Sequence, residues 1–282
     1  MLNNFIPISN IFMHFREYND FLFYYAADNT HKDFVMHSHD TCELLFLKKG
    51  DLTYNVEGRS YRITKNTLII TRPLERHTLV FNTPEDYERY VFLFDEKKLA
   101  TDIYNKIPRN LDIIHFDGNA LVCGLFKKLE YYMNQLEPPE FEIVLAHTLQ
   151  EILYNIRLTA MVIAPEDMYT VNPLLNDAIK YIDTNILNPI TIDVICEATH
   201  ITKSYLHQLF IKHLQITPGK YILSKKLSIA QRELRTGAKA TEVYLTCGFT
   251  DYSTFYRDYK KHFGHSPSSE ADSTHNREIF FS

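Results

Sequence analysis

Four residues in the first eighty positions carry side chains that can bind a divalent metal ion. His37 and His39 are separated by one residue, Glu43 follows four residues later, and His77 lies further along the chain. In an extended strand the side chains alternate between two faces, so His37, His39 and Glu43 point to the same side. We expect His77 to join them from a neighbouring strand. Three imidazoles and a carboxylate form a competent site for zinc, nickel, manganese or iron.

The spacing of these residues resembles a known motif. His37, His39, Glu43 and Gly50 follow the pattern HxH(x)3E(x)6G, the first motif of cupin barrels, and the stretch from Pro73 to His77 resembles the second. Sensor domains that resemble this one often use such positions as polar walls of a pocket without metal. A small polar effector with no required cofactor is therefore the main prediction, and a divalent metal is the alternative. The predicted effector pocket contains His37, His39, Glu43, His77, Arg16, Tyr24 and Tyr54.

Helical patterns near the C-terminus occur as two short pairs. A helix with Thr191 as its predicted N-cap is followed by the turn His200–Thr202 and a second helix up to Leu214. The same order recurs as Ala240–Cys247, the turn Gly248–Thr250 and a helix from Tyr252 to Phe263. Two short helices joined by a three-residue turn are typical of a helix-turn-helix unit. A longer helix, with Thr217 as its predicted N-cap and Pro218 in its first turn, is predicted to connect the two units.

The outer faces of the second helix in each pair predict contacts with DNA. The first residues of a recognition helix reach base edges, and basic residues further along reach phosphates. Arg257 has the chemistry for a bidentate contact with guanine and Gln208 for one with adenine, although a solvated helix face is the alternative for each. The predicted contacts are Lys203, Ser204, His207, Gln208 and Lys212 in the first unit, and Tyr252, Thr254, Arg257, Lys260 and Lys261 in the second.

The charge of the chain is divided unevenly. The whole sequence has a net charge of -5, yet residues 201–265 contain eleven Lys and Arg against four acidic residues. Residues 1–172 are acidic, with 17 Lys and Arg against 24 Asp and Glu. An acidic N-terminal part and a basic C-terminal part are typical of a sensor domain joined to a DNA-binding domain, although ordinary surface variation can produce the same imbalance.

The C-terminal segment resembles the AraC/XylS family of transcription regulators over roughly residues 174–267. The resemblance rests on a Gly-Phe turn, an aspartate, a Ser-x-Phe stretch, a basic helix end and a final Gly-x-x-Pro. These features occur here as Gly248–Phe249, Asp251, Ser253–Phe255, Lys260–Lys261 and Gly264–Pro267. His200 departs from the glycine that is usual in the first turn, and the usual Tyr-Arg after the final proline is absent. The resemblance implies that one chain covers two major-groove segments roughly 34 Å apart.

The strand and helix patterns in the remaining sequence predict the fold class. Short aromatic and β-branched runs in the first hundred residues indicate strands, with a hairpin turn at Glu57–Gly58. Two helices, Asn119–Leu136 and Glu140–Ile163, form a hairpin that either covers an open side of the strands or forms a dimer interface. We predict an α+β protein with a cupin-like β-barrel and helical hairpin followed by an all-α domain with two helix-turn-helix motifs. The predicted domains are the effector-sensing barrel 1–118, the hairpin 119–163, a linker 164–172 and the DNA-binding domain 173–270.

Composition excludes several other classes. With 282 residues, of which 45% are hydrophobic and 23% charged, the chain suits two soluble globular domains. No apolar run approaches the ~18 residues of a membrane span, and MLNNFIPISN lacks the pattern of a secretory signal. Four scattered cysteines predict neither a zinc ribbon nor a disulfide framework, so we expect a cytoplasmic location.

These observations predict a sequence-specific DNA-binding transcription regulator rather than an enzyme. Its expected partners are double-stranded promoter DNA, RNA polymerase, a second copy of the chain, and a small effector such as a sugar or another metabolite. The family resemblance favours activation over repression. Two alternatives stay open at this point: a metal-dependent cupin enzyme with a DNA-binding tail, and a regulator whose barrel binds a partner protein.

Overall fold

The computed structural model describes residues 11–17, 21–28, 34–84, 86–162 and 172–270. The chain forms two compact units. The first contains Thr41–Val56, most of the strands and both helices of the hairpin, and the second contains the C-terminal part together with the short segments Val35–Asp40 and Glu57–Arg59. The predicted linker, residues 164–172, lies outside the described residues except for Asn172. The finer domain boundaries therefore stay predictions.

The first unit contains nine strands within the described ranges. Runs of aromatic and β-branched residues form them because these side chains pack well on a pleated surface. In chain order they are β1 (Ile11–Glu17), β2 (Phe21–Asp28), β3 (Cys42–Lys49), β4 (Leu52–Val56), β5 (Arg59–Ile63), β6 (Thr67–Thr71), β7 (His77–Phe81), β8 (Tyr87–Phe94) and β9 (Ile113–His115). The predicted turn between β4 and β5 is confirmed, since Glu57 and Gly58 have φ values of 45° and 74°.

These strands form two sheets. The larger has the order β1-β2-β8-β3-β6-β9, and the smaller has the order β5-β4-β7. On one face of the larger sheet, Leu45 and Val91 share a hydrophobic core with Tyr54 and Val56 of the smaller sheet. The interior that was predicted for a barrel therefore lies between the two sheets.

The other face of the larger sheet is covered by two helices, α1 (Ala120–Met133) and α2 (Pro138–Ala160). Phe46 of β3 stacks on Phe126 of α1 with 4.2 Å between the ring centroids. The predicted helical hairpin is confirmed, and it covers one side of the sheet. The second helix starts two residues earlier than expected, because a proline in the first turn lacks only an N–H that would have no helical partner there.

One strand prediction is wrong. The strand expected to carry His37, His39 and Glu43 on one face begins only at Cys42, so Glu43 alone lies on β3. The preceding sequence, His-Ser-His-Asp-Thr, has no apolar residue to bury on a sheet face, and a strand is stabilised mainly by such packing.

The second unit is built from six α-helices within the described ranges. They are α3 (Pro173–Asn185), α4 (Ile192–Thr199), α5 (Lys203–Leu214), α6 (Pro218–Arg235), α7 (Ala240–Thr246) and α8 (Tyr252–Phe263). The predicted caps are confirmed, since the hydroxyls of Thr191 and Thr217 accept hydrogen bonds from the backbone N–H groups of Val194 and Lys220. The predicted helix-turn-helix pairs are α4–α5 and α7–α8.

The long helix α6 belongs to both pairs. Its first half places Tyr221 and Ile222 in a core with α3, α4 and α5. Its second half places Leu227, Ala230 and Leu234 in a core with α7 and α8. An antiparallel sheet unit followed by a helical unit with two helix-turn-helix pairs confirms the predicted fold class. Among the described helices, none has the length and apolar character to cross a lipid bilayer.

Candidate nucleic-acid interface

The first candidate recognition helix, α5, has one apolar and one polar face. Leu206, Leu209 and Leu214 are buried, and Thr202 caps the helix by accepting a hydrogen bond from Tyr205 N at 3.2 Å. The apolar residues recur at helical spacing, so the other face is left to solvent. That exposed face carries all five predicted contacts of this unit: Lys203, Ser204, His207, Gln208 and Lys212.

The first of these residues, Lys203, forms an ion pair with an acidic residue of the preceding helix. Lys203 Nζ lies 2.5 Å from Asp193 Oδ1 on α4, and both side chains are exposed. The hydrogen bond to this carboxylate raises the pKa of the lysine. An exposed ion pair of this kind contributes little stability, so the carboxylate can be replaced by another acceptor at low cost.

The second candidate recognition helix, α8, packs through aromatic side chains. Phe255 and Tyr259 are buried, and Tyr252 is partly buried with its ring centroid 5.6 Å from that of Tyr244. Tyr252 therefore has a packing role in addition to the predicted base contact. Thr254 is also partly buried, whereas the remaining predicted contacts are exposed, namely Arg257, Lys260 and Lys261.

The first turn of α8 organises two of the predicted base contacts. Arg257 Nη2 donates to Thr254 Oγ1 at 3.2 Å. Asp251 caps the same turn, since its Oδ1 accepts a hydrogen bond from Thr254 N at 2.8 Å. The hydrogen bonds from the helix start hold the pKa of Asp251 below its ordinary value. The sequence signature Asp-x-x-Thr thus fixes the end of the helix that a DNA groove would meet.

The two turns share a backbone conformation but use different residues. His200 has a φ of 55° and Gly248 a φ of 72°, both in the left-handed region. A residue with a Cβ pays about 1–2 kcal/mol to adopt it, so the departure at His200 is accommodated under strain. A Cβ at Gly248 would lie 2.7 Å from the carbonyl oxygen of Leu187, so this turn has room only for glycine.

A buried lysine that the sequence reasoning missed joins the two pairs. Lys226 Nζ on α6 donates to Asn188 O at 3.1 Å and to Gly248 O at 2.8 Å. Asn188 lies in the loop before α4, and Gly248 lies in the turn before α8. Both follow the C-terminal end of a helix, where carbonyl groups carry partial negative charge. A sequence signal did exist, because Lys226 lies four residues from Ile222 and from Ala230 on the apolar side of α6.

A buried carboxylate fastens the end of the second pair. Glu270 is 1% exposed and accepts hydrogen bonds from Tyr259 Oη at 2.6 Å and from Arg235 Nε at 2.9 Å. His265 Nε2 lies 3.3 Å from the same carboxylate. Glu270 therefore joins the end of α6, the inner face of α8 and the turn after Pro267, in the segment where the Tyr-Arg of related sequences is absent.

The predicted effector residues of the first unit lie at different depths. Glu43 Oε2 is 3.6 Å from His77 Nε2. Tyr54 is fully buried, and its hydroxyl is 2.8 Å from a threonine hydroxyl on β6. Burial raises the pKa of Tyr24 to about 12. Arg16 lies on β1, and its side chain is outside the described residues.

Backbone carbonyls orient two of the predicted metal ligands. His37 Nδ1 is 2.8 Å from Val35 O, and His77 Nδ1 is 2.9 Å from Glu75 O. Because a carbonyl only accepts, each Nδ1 donates its proton to that carbonyl. Metal-binding histidines are commonly held in this way. Imidazole groups are chemically suited to a divalent metal, and the metal site stays a prediction.

Two family models match the chain. The model described as an AraC-like ligand binding domain matches residues 22–103, and the model described as a helix-turn-helix domain matches residues 195–271. The first match lies on the strands, and the second runs from α4 past α8. A ligand-binding domain followed by a helix-turn-helix domain defines a DNA-binding transcription regulator.

Curated relatives agree with this class. The HTH-type transcriptional activator RhaS of Escherichia coli strain SE11 is 23% identical over 250 residues, which are 83% of this chain and 86% of the relative. The HTH-type transcriptional activator RhaR of Escherichia coli strain K12 is 24% identical over 254 residues, which are 86% of this chain and 89% of the relative. The chain belongs to the AraC family of transcription regulators, as its motifs predicted.

Solved structures also match. A regulator with an AraC-type DNA-binding domain from Chromobacterium violaceum is 28% identical, with 37% of this chain and 95% of that chain covered and a TM-score of 0.35. ToxT from Vibrio cholerae O395 is 12% identical, with 90% of this chain and 98% of that chain covered and a TM-score of 0.37.

Proposed function

We propose that this protein activates transcription in the cytoplasm in response to a small effector bound between the sheets of its first unit. The observation that carries the proposal is the pair of exposed polar faces on α5 and α8, which share the connecting helix α6. The regulatory roles of the relatives support the same conclusion. Chemistry on a substrate would not need two such helix pairs.

The side chains on these faces suit the two kinds of DNA contact. Gln208 and Arg257 have planar groups that can read adenine and guanine edges. Lys212, Lys260 and Lys261 lie further along their helices, where they can neutralise phosphates. The exposed positions of these residues support both assignments.

Selection from random duplex DNA tests the proposal. The purified full-length chain is incubated with a library of random double-stranded sequences, and the retained fragments are sequenced. We expect two preferred sequence blocks with centres about 34 Å apart, one helical turn of DNA. Affinity should fall with salt, with a slope of about −0.9 in log K against log salt for each phosphate contact. If no sequence is retained at low salt, with or without cell extract as an effector source, the proposal fails.

Control by an effector requires a difference in affinity between two states. A ligand shifts an equilibrium only if it binds one arrangement better than the other. We propose that the effector favours the arrangement that binds promoter DNA and RNA polymerase. Transcription from a selected fragment in a purified system, with and without small molecules from cell extract, measures whether the outcome is activation. Repression under both conditions would contradict it.

A bound metal is a second candidate ligand, as the histidine motif predicts. The hydrogen bonds from His37 Nδ1 and His77 Nδ1 to backbone carbonyls favour it, because metal-binding histidines are commonly oriented in this way. Metal analysis of the purified chain and of the variants His37→Ala and His39→Ala distinguishes a metal site from a pocket that binds an effector without metal. Stoichiometric metal that is lost in both variants would support a metal site and reopen the enzyme alternative.

We also propose that the helical hairpin forms a homodimer. Large apolar side chains follow one face of α2 at helical spacing and are exposed: Ile143 by 61%, Tyr154 by 46% and Leu158 by 61%. Met161 and Val162 continue the face beyond the helix end. Exposed apolar patches of this kind commonly mark protein interfaces, and a second copy of the chain offers the same patch in return.

A further inference from the structure

The core between the two sheets contains a buried cation. Arg89 lies on β8 and is 7% exposed, with the apolar residues Ala26 and Leu47 opposite it on the neighbouring strands. Val91, two residues along the same strand, belongs to the hydrophobic core between the sheets. Burial of a charged group in such surroundings is costly unless the charge is paired. The position of Arg89 therefore requires an explanation beyond packing.

One end of the guanidinium is left unsatisfied. Among the described residues, Arg89 Nη1 is buried and has no hydrogen-bond partner. In folded proteins almost every buried donor is paired, and exceptions often mark a place where a ligand or ion binds. Arginine stays protonated under all ordinary conditions, so it cannot relieve the burial by losing its charge.

Aromatic rings pack beside this group. The Arg89 Cζ atom is 4.1 Å from the ring centroid of Tyr87 and 5.7 Å from that of Phe34. Phe81 packs edge-on against Tyr87 with 5.5 Å between ring centroids. A guanidinium that is stacked on aromatic rings keeps its N–H groups in the plane, which is the arrangement that binds a carboxylate or phosphate in bidentate fashion.

We propose that the effector is a small anion, a carboxylate or a phosphate, and that Arg89 binds its charged group. The inference rests on the proposed effector-binding function. Tyr24, from the strand beside β8, also belongs to the site: burial dominates its raised pKa, while Arg89 acts in the opposite direction. Glu43 and His77, 3.6 Å apart, would meet the uncharged polar groups of the same molecule.

The first test needs no knowledge of the effector. The variant Arg89→Met replaces the charge by an apolar side chain of similar length. Because a buried charge with an unsatisfied N–H group opposes folding, the ligand-free variant should have a Tm equal to or above that of the wild type. A Tm several degrees lower would mean that the aromatic cluster needs the guanidinium for stability, and would overturn the inference.

The second test measures ligand chemistry directly. The small-molecule fraction of a lysate is split on an anion-exchange column, and each part is added to the full-length wild type, to Arg89→Met and to Arg62→Met. Arg62 is the matched control, since it is exposed and paired with Asp51 at 2.5 Å. The retained part should raise the Tm of the wild type and of the control by about 3 °C or more, and leave Arg89→Met unchanged. Arg89→Lys, which keeps the charge without the planar fork, should respond weakly.

Other outcomes separate this inference from the function on which it rests. If only the unretained, neutral part stabilises the wild type, the effector is not an anion, while effector binding itself stands. If the retained part stabilises Arg89→Met as much as the wild type, Arg89 is not the binding group. If neither part stabilises any form, the proposed effector function fails as well. Inorganic phosphate, and a panel of carboxylates beside their amides, serve as defined probes in the same assay.

Discussion

Lys226 Nζ lies 2.8 Å from the carbonyl oxygen of Gly248, and this hydrogen bond ties the connecting helix α6 to the turn of the second helix-turn-helix pair. The same ammonium donates to Asn188 O, at 3.1 Å, in the loop before the first pair. If α6 were the sole connection, only side-chain packing would restrain rotation of the two pairs about the axis of α6. A second attachment away from that axis restrains the rotation, so the two recognition helices keep one relative geometry.

Loss of this tie should weaken the coupling between the two DNA contacts. For Lys226→Met we expect an affinity about tenfold lower for a selected duplex with both sequence blocks, because a looser link lowers the effective concentration of the second contact. Affinity for a duplex with one block should change less than twofold. Insertion of one base pair between the blocks should cost the variant less affinity than it costs the wild type. Fluorescence anisotropy with the three duplexes measures these values.

Lys220→Met is the matched control for this variant. Lys220 lies on the same helix and is exposed, so the change removes an equal charge without touching the tie. It should alter affinity for one-block and two-block duplexes by the same factor. Equal losses on both duplexes with Lys226→Met, and an unchanged cost of the inserted base pair, would contradict the coupling role.

Sequence reasoning succeeded where the signal was local. Thr191 and Thr217 were recognised as caps because a cap and its helix are neighbours in the chain. Lys226 was counted only as part of a basic region, since its acceptor on Gly248 lies 22 residues away and becomes a neighbour only through packing. Arg89 was missed for a related reason. Strand alternation assigns its side chain to one face of β8, but only the packing of the two sheets decides which face is buried.

The wrong strand at His37 and His39 has a different cause. The prediction extended the alternation of β3 backwards through a polar segment, where no apolar side chain sets a buried face. The spacing of the motif therefore identified plausible ligands, but it did not determine the backbone conformation of the segment that contains them. The same limit applies to Tyr252, whose packing against Tyr244 depends on the angle between α7 and α8 rather than on its place in the motif.

The strained turn of the first pair gives a prediction on stability. His200→Gly should stabilise the chain by roughly 0.5–1 kcal/mol, because relief of the left-handed strain outweighs the entropy that glycine adds to the unfolded state. Gly248→Ala should destabilise it by about 2–4 kcal/mol, since the new methyl group meets the Leu187 carbonyl. Urea unfolding followed by circular dichroism measures both. A destabilised His200→Gly variant would show that the imidazole has a role that outweighs the strain.

The cap of α8 predicts a pH dependence. The folded pKa of Asp251 lies below its unfolded value of about 3.9, so its contribution is present above that pH and is lost as the pH falls through the folded pKa. Asp251→Asn keeps a capping oxygen but does not titrate. The wild type should be the more stable at pH 7, and the difference should shrink as the pH falls below the unfolded pKa. Unfolding curves of both proteins from pH 7 to pH 3 test this, and a difference independent of pH would refute it.

The two classes of DNA contact predict different losses. Arg257→Ala should cost about 1–3 kcal/mol of binding to the selected sequence and relax the preference at one base position. Lys212→Ala should weaken binding to all sequences alike and reduce the salt slope by about 1. Repeated selection with the first variant and salt titration with the second separate the effects. Unchanged affinity in both would show that the assigned contacts are wrong.

The proposed dimer predicts a change in oligomeric state from a single charge on α2. Leu158→Asp should cost about 2–3 kcal/mol of association free energy, because a carboxylate replaces an apolar side chain at the centre of the exposed face. Leu245→Asp on α7 is a close control, since that leucine is 59% exposed against 61% for Leu158. Sedimentation velocity at micromolar concentration should find a dimer for the wild type and for Leu245→Asp, and a monomer for Leu158→Asp. A wild type that sediments as a monomer, or a Leu158→Asp variant that stays dimeric, would place the interface elsewhere. Because a dimer carries four helix-turn-helix units, the monomeric variant should also protect a shorter stretch of a selected promoter fragment.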